Sequence, residues 1–421
     1  MPLIRTLDRE LKAAAMVGAP RLSAIQPLIL GGFLENFPPR IKLWEIPSVC
    51  SDGSAPATKA TFAQALAFLA HQTRANKEQL DGVQKSFDAN GGLSLISGLP
   101  NSGKTSLLIL QALTAFSCGY KVLLAAPGNG NLVIRNMLGE SLPIMPNGKK
   151  PKIYLATPAI EERIGFAIFE FTCARQERDE NKPHTLVWGI LQAIEEDRLT
   201  LLSPAYQVKL KTHGKYYPSM QPLVDSVLFM DMLSTISETS SEADKARFHL
   251  LYKKLLYRVI ATADIIIASC YDAGHEDLYL NFGPTVVIVD NATEASEPET
   301  FIPLLMYQCV QIRILLGNRR NICLPIEQPW SPGLVQRQMS FFERMALNGV
   351  PVHELKTQYP QAQQTHVRHY SQEVDNKLAA TLIDGVKDRV SLHAKTPFDI
   401  KLADGIPPSA DSAQCLVAPT S

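Results

Sequence analysis

The segment Gly98-Leu99-Pro100-Asn101-Ser102-Gly103-Lys104-Thr105 restricts the fold of this chain more than any other. It follows a short apolar run, Leu93 to Ile96, and precedes a longer run rich in Leu and Ala, so a strand must enter a glycine turn and leave as a helix. A second apolar run, Lys121 to Ala125, follows that helix and closes a βαβ unit. Strands joined by such crossovers run parallel and are covered by helices on both faces. The predicted class is α/β with a largely parallel sheet.

The spacing G-x-x-x-x-G-K-[ST] also carries chemistry. Glycines let successive backbone N–H groups turn inward as a nest for an anion, and the helix N-terminus adds its partial positive charge. Lys104 is placed to reach β- and γ-phosphates, and the Thr105 hydroxyl to hold Mg²⁺. Gly98, Asn101, Ser102, Gly103, Lys104, Thr105 and Ser106 are therefore the candidate residues for a nucleoside triphosphate. Such a loop needs an acid at the end of a neighbouring strand to organise the metal. The run TVVIVD places Asp290 there, which makes Thr105 and Asp290 the candidate Mg²⁺ residues.

Length and composition agree with a large folded core. The chain has 421 residues, of which 46% are hydrophobic and 19% charged, and its 41 basic side chains are matched by 41 acidic ones. No chain-wide positive field marks a polyanionic partner, so any nucleic-acid contact must be local. The seven cysteines (Cys50, Cys118, Cys173, Cys270, Cys309, Cys323, Cys415) include no C-x-x-C pair. They read as buried free thiols in a reducing compartment. Charges interrupt the N-terminal apolar residues, and no apolar run reaches the roughly 18 to 20 residues of a bilayer span. A soluble protein without a membrane partner, cytoplasmic or nuclear, is expected.

Five segments are expected along the chain. Residues 1–60 form a lead-in that mixes a short helical stretch with Pro-rich text, 61–150 the first part of the α/β domain, and 151–245 a mainly helical, mildly acidic insertion. Residues 246–370 form the second part of the domain and 371–421 a polar tail. Several cation-rich stretches read as ordinary loops: Arg313 with Arg319 and Arg320, Lys149 with Lys150 and Lys152, and Lys209 to Lys215 with Tyr216 and Tyr217. His275 reads as a turn histidine, and Phe341, Phe342 and Met345 as core.

An ordered series of further motifs resembles superfamily 1 helicases, in the branch of the nonsense-mediated-decay RNA helicase and senataxin. The resemblance runs from about residue 75 to 365 and covers a first RecA-like domain only. Asn76-Lys77-Glu78-Gln79 matches an N-x-x-Q motif whose glutamine reads the adenine edge. Ala126-Pro127-Gly128-Asn129 is similar to an A-P-S-N turn that touches the nucleic-acid backbone, which makes Pro127 and Asn129 candidate contacts to single-stranded RNA or DNA. ADIIIASCYDAG resembles the strand and turn before the acidic motif. DNATEASEPETFIPLL follows D-E-A-x-Q-x-x-E-P-E-x-x-I-P-L at most positions. FFERMALNGVPVHELKTQYP resembles F-E-R … L-x-x-Q-Y-R-M, which adds Gln358 and Tyr359 to the nucleotide-binding set. The resemblance implies a RecA-like P-loop domain using ATP and Mg²⁺, with a nucleic-acid or protein partner.

The departures fall where chemistry is done. Asn291 stands where the family has the glutamate that polarises the attacking water, and an amide cannot accept that proton. Glu294, in place of a glutamine, sits about one turn further on and is the candidate substitute base. Gly317-Asn318-Arg319-Arg320-Asn321 replaces G-D-x-x-Q, and Pro360 replaces the arginine of Q-Y-R. Text after Tyr359 lacks the rhythm of a second RecA-like lobe and any candidate arginine finger, so unwinding is not expected of the chain as given. The expectation is a nucleotide-binding module with impaired hydrolysis. An active helicase or nucleic-acid-stimulated ATPase, and a nucleotide-free interaction scaffold, stand as alternatives.

Overall fold

From its N-terminus the computed structural model runs through α1 (Pro2–Ala15), α2 (Gln26–Leu30), β1 (Arg40–Lys42), α3 (Lys59–Thr73), α4 (Lys77–Ser86), β2 (Asp88–Asn90), β3 (Leu93–Gly98), α5 (Lys104–Ser117) and β4 (Val122–Ala126). It continues through β5 (Ile153–Leu155), β6 (His184–Thr185), α6 (Leu186–Leu202), α7 (Gln221–Thr235), α8 (Glu242–Thr262), β7 (Ile265–Ser269), α9 (Glu276–Asn281), β8 (Val286–Val289), α10 (Glu297–Leu305), β9 (Ile312–Gly317), α11 (Phe341–Leu347) and β10 (Val352–Leu355). The described residues are 2–19, 22, 26–30, 37–47, 58–128, 130, 134, 138, 145–146, 148–156, 184–202, 221–237, 239–319 and 339–359.

Eight strands form one sheet in the order β10-β3-β9-β8-β4-β7-β5-β6, and every registered pair in it is parallel. The central strands read as unbroken apolar runs because both of their faces are covered. All residues of β4, β7 and β8 are buried. Alternation within each strand then divides the core in two. Leu95, Leu123, Ile266, Val287 and Leu315 face one cluster with Ala13, Phe248, Val259, Ile302 and Phe342. Ile96, Leu124, Ile267, Ile288 and Leu316 face the other, with Phe62, Val83, Leu107 and Leu110. Helices α1, α8, α10 and α11 thus cover one face, and α3, α4 and α5 the other.

Because the strands share a direction, the turns that follow β3, β8 and β9 emerge along one edge of the sheet. The register sets them side by side: Ser97 pairs with Gly317, and Val289 with Leu315. Ligands of open parallel sheets bind outside such carboxyl ends.

The structure adds to the sequence reading, and departs from it, at several points. Beside its helices, the stretch 151–245 carries two short strands: β5 pairs with β7 and β6 with β5, extending the main sheet. Strands this short leave no apolar run long enough to be seen. Its helical part is held by Asp197 on α6, which receives Arg258 Nη1 and Nη2 at 2.6 and 2.7 Å and the Ser226 hydroxyl at 2.5 Å. The boundary at 245 falls inside α8, a helix that supplies Leu255 and Val259 to the core.

The expected lead-in carries packed elements. Ala13, Val17, Leu22 and Ile29 enter the core, and Arg9 lies 4.0 Å from the Tyr271 ring centroid. Arg344 Nη2 donates to Ile29 O at 2.7 Å and, with Nε, clasps Glu297 at 2.6 and 2.8 Å. Arg313 belongs to no basic loop: it is 3% exposed on β9 and donates to Leu304 O and Val310 O, each at 3.1 Å. Cys118 and Cys270 are buried free thiols as expected, but Cys309 is exposed. Cys50, Cys173, Cys323, Cys415, Arg320 and the Lys209–Tyr217 stretch lie outside the described residues. His275 caps α9 by accepting the Asp277 N–H, and Phe341, Phe342 and Met345 are buried.

Candidate functional site

The loop after β3 owes its shape to three residues. Gly103 caps α5 at φ 81°, a left-handed conformation that a glycine adopts without strain. A Cβ there would meet Gln79 Nε2 at 2.6 Å and Tyr359 Cε2 at 3.1 Å, so the loop also depends on close approach. Asn101 takes φ 61°, which asparagine tolerates better than most side chains. Gly98 ends β3, where a Cβ would lie 2.3 Å from Ser102 Oγ. The Ser102 hydroxyl is buried, and among the described residues it has no hydrogen-bond partner. A buried hydroxyl of this kind is costly unless something pairs with it, and a phosphoryl oxygen fits that need.

Lys104 opens α5 and curls back over the loop. Its Nζ donates to Gly98 O at 2.8 Å and Leu99 O at 2.9 Å. Burial pushes its pKa down, while the charges of Asp290 and Glu294 push it up. Thr105 Oγ1 lies 3.5 Å from Asp290 Oδ2, at the limit of a hydrogen bond and short of a close contact. Asp290 follows β8 and is 5% exposed. Burial pushes its pKa up, opposed by the Asn291 N–H, which donates to Oδ1 at 2.9 Å, and by Lys104 and Thr105. A hydroxyl, a cation and one buried carboxylate meet here. Since Asp290 is, among the described residues, the one carboxylate that Thr105 contacts, a divalent cation would draw most of its oxygens from phosphate and water.

The turn after Asp290 keeps its neighbours close. Asn291 has φ 50°, and its carbonyl accepts the Glu294 N–H at 2.8 Å. Ala292 N donates to Leu316 O at 2.7 Å, and Asn318 N donates to Thr293 Oγ1 at 3.1 Å. A Cβ on Gly317 would lie 2.5 Å from Thr293 Cγ2. Asn318 is therefore held, through Thr293, against the turn that begins at Asn291. Glu294 is half-buried, and its charge reaches both Lys104 and Asp290.

A second set of residues lines the other side of the loop. Asn76 and Gln79 form a reciprocal capping box at the start of α4, with Gln79 N donating to Asn76 Oδ1 at 2.8 Å and Asn76 N to Gln79 Oε1 at 3.0 Å. Gln79 Nε2 donates to Gly103 O at 3.2 Å. Tyr359 joins them: its N–H donates to Asn101 O at 2.9 Å, and its hydroxyl accepts from Asn76 Nδ2 at 2.8 Å. Gln358 and Ser106 are exposed beside this group. Pro127 follows β4 at the same sheet edge, with its carbonyl accepting the Gly130 N–H at 3.2 Å, while Asn129 lies outside the described residues.

Sequence reasoning missed Glu78. Its Oε2 accepts the backbone N–H groups of Lys356 and Thr357 at 2.8 and 2.9 Å, and its carbonyl contacts His353 Nε2 at 2.9 Å. These bonds fasten the segment after β10 to α4 and so carry Tyr359 to Gly103. Partners separated by some 280 residues leave no local signal.

A model of the AAA domain family matches residues 74–317, more than half of the chain. The chain belongs to this family. Regulator of nonsense transcripts 1 of Dictyostelium discoideum is 27% identical over 291 residues, covering 68% of this chain and 18% of that protein. Its homolog in Neurospora crassa is 26% identical over 288 residues, covering 68% and 21%. ATP-dependent helicase NAM7 of Saccharomyces cerevisiae is 31% identical over 127 residues, 28% of this chain and 12% of that one. The chain therefore carries a superfamily 1 helicase-like P-loop domain, and spans about a fifth of the first two of these relatives. Among the described residues no cluster of three His, Cys, Asp or Glu could hold a metal, and no helix is long and apolar enough to cross a membrane.

Proposed function

We propose that the chain binds ATP with Mg²⁺ through Gly98, Asn101 to Ser106, Asp290 and Tyr359, and hydrolyses it poorly. The observation that carries this reading is the pair Asp290–Asn291. Lys104, Thr105 and Asp290 together supply what a triphosphate and its metal need, whereas the next side chain is an amide. An amide can orient a water but cannot take its proton, a loss of about 10² to 10⁴ in rate. Asn318 likewise has an amide side chain where the resembling motif has the acid that senses the γ-phosphate.

Binding without fast turnover makes a nucleotide-dependent module. The names of the relatives, and the position of Pro127 after β4 on the same edge, support single-stranded RNA as the polymer it contacts, with single-stranded DNA or a protein as the other candidates. Titration calorimetry with ATP and Mg²⁺, followed on the same sample by a turnover assay with and without single-stranded RNA, tests the reading. Heat abolished by Lys104→Ala, with turnover far below one per second, is the expected result. No heat from a folded chain would favour a nucleotide-free scaffold.

A second reading rests on Glu294, whose carboxylate is near enough to act on Lys104 and Asp290. Should it serve as base, the chain is an ATPase and Glu294→Gln removes its turnover.

A further inference from the structure

We propose that the outer edge of β10 docks a second polypeptide, an extended segment that adds to the sheet as a further strand and sets acidic side chains against Lys85. β10 stands at the end of the strand order, and among the described residues no strand pairs with its outer side. A strand sends alternate N–H and C=O groups to its two sides, so those of Val352 to Leu355 that do not serve β3 face outward. Such a row is a template for another strand.

A cleft of about 540 Å³ follows this edge. Val352 packs against the core cluster of Phe342, and Leu355 belongs to the cluster of Val83, so even and odd positions of β10 look to opposite faces of the sheet. Val352, His353 and Glu354 all line the cleft, which places it along the strand's edge and not over one face. It continues past the start of β10 to Leu93 and Ser94 of β3. Ser94 is 7% exposed, and among the described residues its hydroxyl has no hydrogen-bond partner. A main chain lying in the cleft supplies one.

Charge decides which side chains fit. A carbonyl oxygen only accepts, so His353 Nε2 donates to Glu78 O at 2.9 Å, and its Nδ1 is left to accept Lys85 Nζ at 3.4 Å. That contact holds the Lys85 ammonium on the α4 side of the edge. Among the described residues neither Lys85 nor Lys356, the second ammonium of the cleft, has a carboxylate partner, whereas the third cation, Arg40, is engaged by Asp88 at 3.4 Å. The opposite side presents Val352 and Glu354. A segment with acidic residues at every second position therefore turns carboxylates toward Lys85 and apolar residues toward Val352. The cleft lies at the amino ends of β3 and β10 and the loop from Gly98 to Thr105 at the carboxyl ends, so the inference stands apart from nucleotide binding.

Fluorescence anisotropy of the full chain with a short labelled peptide of alternating Glu and Val tests the proposal. Saturable binding is expected. A peptide of alternating Lys and Val, and the Glu peptide with two central prolines, should each bind at least about tenfold more weakly, the first lacking the charge and the second the N–H groups of a strand. Lys85→Glu should weaken the acidic peptide by about tenfold or more and Lys85→Arg by less than about threefold, in chains whose circular dichroism matches the parent. No binding by a folded chain, or equal binding of the three peptides, overturns the inference. An unchanged affinity in Lys85→Glu overturns it as well, since the peptide then sits elsewhere. A dimer in sedimentation that excludes the peptide gives the edge to a second copy of the chain, which also contradicts the proposal.

Discussion

The carboxylate of Glu78 accepts the Thr357 N–H at 2.9 Å, a bond that joins the first turn of α4 to the chain just beyond β10. This bond and its neighbour from Lys356 hold the Glu78 pKa below the ordinary carboxylate range, the Thr357 contribution being the larger. A depressed carboxylate stabilises the fold above its unfolded pKa, about 4.3, and the effect is lost as pH falls through the lower folded value. Glu78→Gln should therefore lower Tm by about 2 °C at pH 7, corresponding to about 1 kcal/mol after allowance for solvent screening. The difference from the parent should begin to shrink near the unfolded pKa of about 4.3 and vanish once the pH is below the lowered folded value. Melting curves of both proteins across this range check the sign.

Asp290 shows the opposite linkage. Burial raises its pKa, so the folded state holds its proton more tightly than the unfolded chain does. Its charge consequently destabilises the fold at neutral pH, by an amount that grows as pH rises from the unfolded pKa of about 3.9 through the raised folded value. Asp290→Asn should raise Tm at pH 7 while weakening Mg²⁺-dependent ATP binding by about tenfold or more. Paired melting and calorimetry on the variant separate these effects.

Asn291→Glu restores a carboxylate at the position read as the vacant base. It should raise ATP turnover by about 10²-fold. Because φ is 50° there, the change should also cost about 1 kcal/mol of stability, measurable by denaturant titration. Unaltered turnover would place the defect elsewhere, with Asn318 the next position to restore.

Asp197 lies away from the loop and ties α6, α7 and α8 together. Removing it leaves Arg258 half-buried without its bidentate partner. Asp197→Ala should destabilise the chain by about 3 kcal/mol, yet leave ATP affinity within about twofold of the parent. Equal losses in stability and affinity would contradict the separation of this helical layer from the site.

The parallel sheet and the loop after β3 were legible because their signals are local. Val286 to Asp290 is a buried strand ending in a carboxylate, and Gly98 to Thr105 is a turn that glycine makes feasible. Residues β5 and β6 contribute are too few to show a period, so their place beside β7 had to be seen. Arg313 looked like part of a basic loop because adjacent charges imply solvent, whereas on β9 its guanidinium reaches two carbonyls. The latch from Glu78 and the meeting of Gln79 with Tyr359 at Gly103 are long-range pairings. Motif resemblance named Gln79 and Tyr359 but not the loop carbonyls that receive them, Gly103 O and Asn101 O.

One measurement bears most directly on the central claim, that the loop grips a triphosphate while Asn291 fails to promote its cleavage. ATP binding by calorimetry and multiple-turnover hydrolysis should be recorded on one preparation of the chain with Mg²⁺ and single-stranded RNA. The account predicts heat that Lys104→Ala abolishes, with turnover that rises about 10²-fold only when Asn291→Glu is introduced. Brisk turnover by the parent chain, or a folded chain that gives no heat with any nucleoside triphosphate, would contradict it.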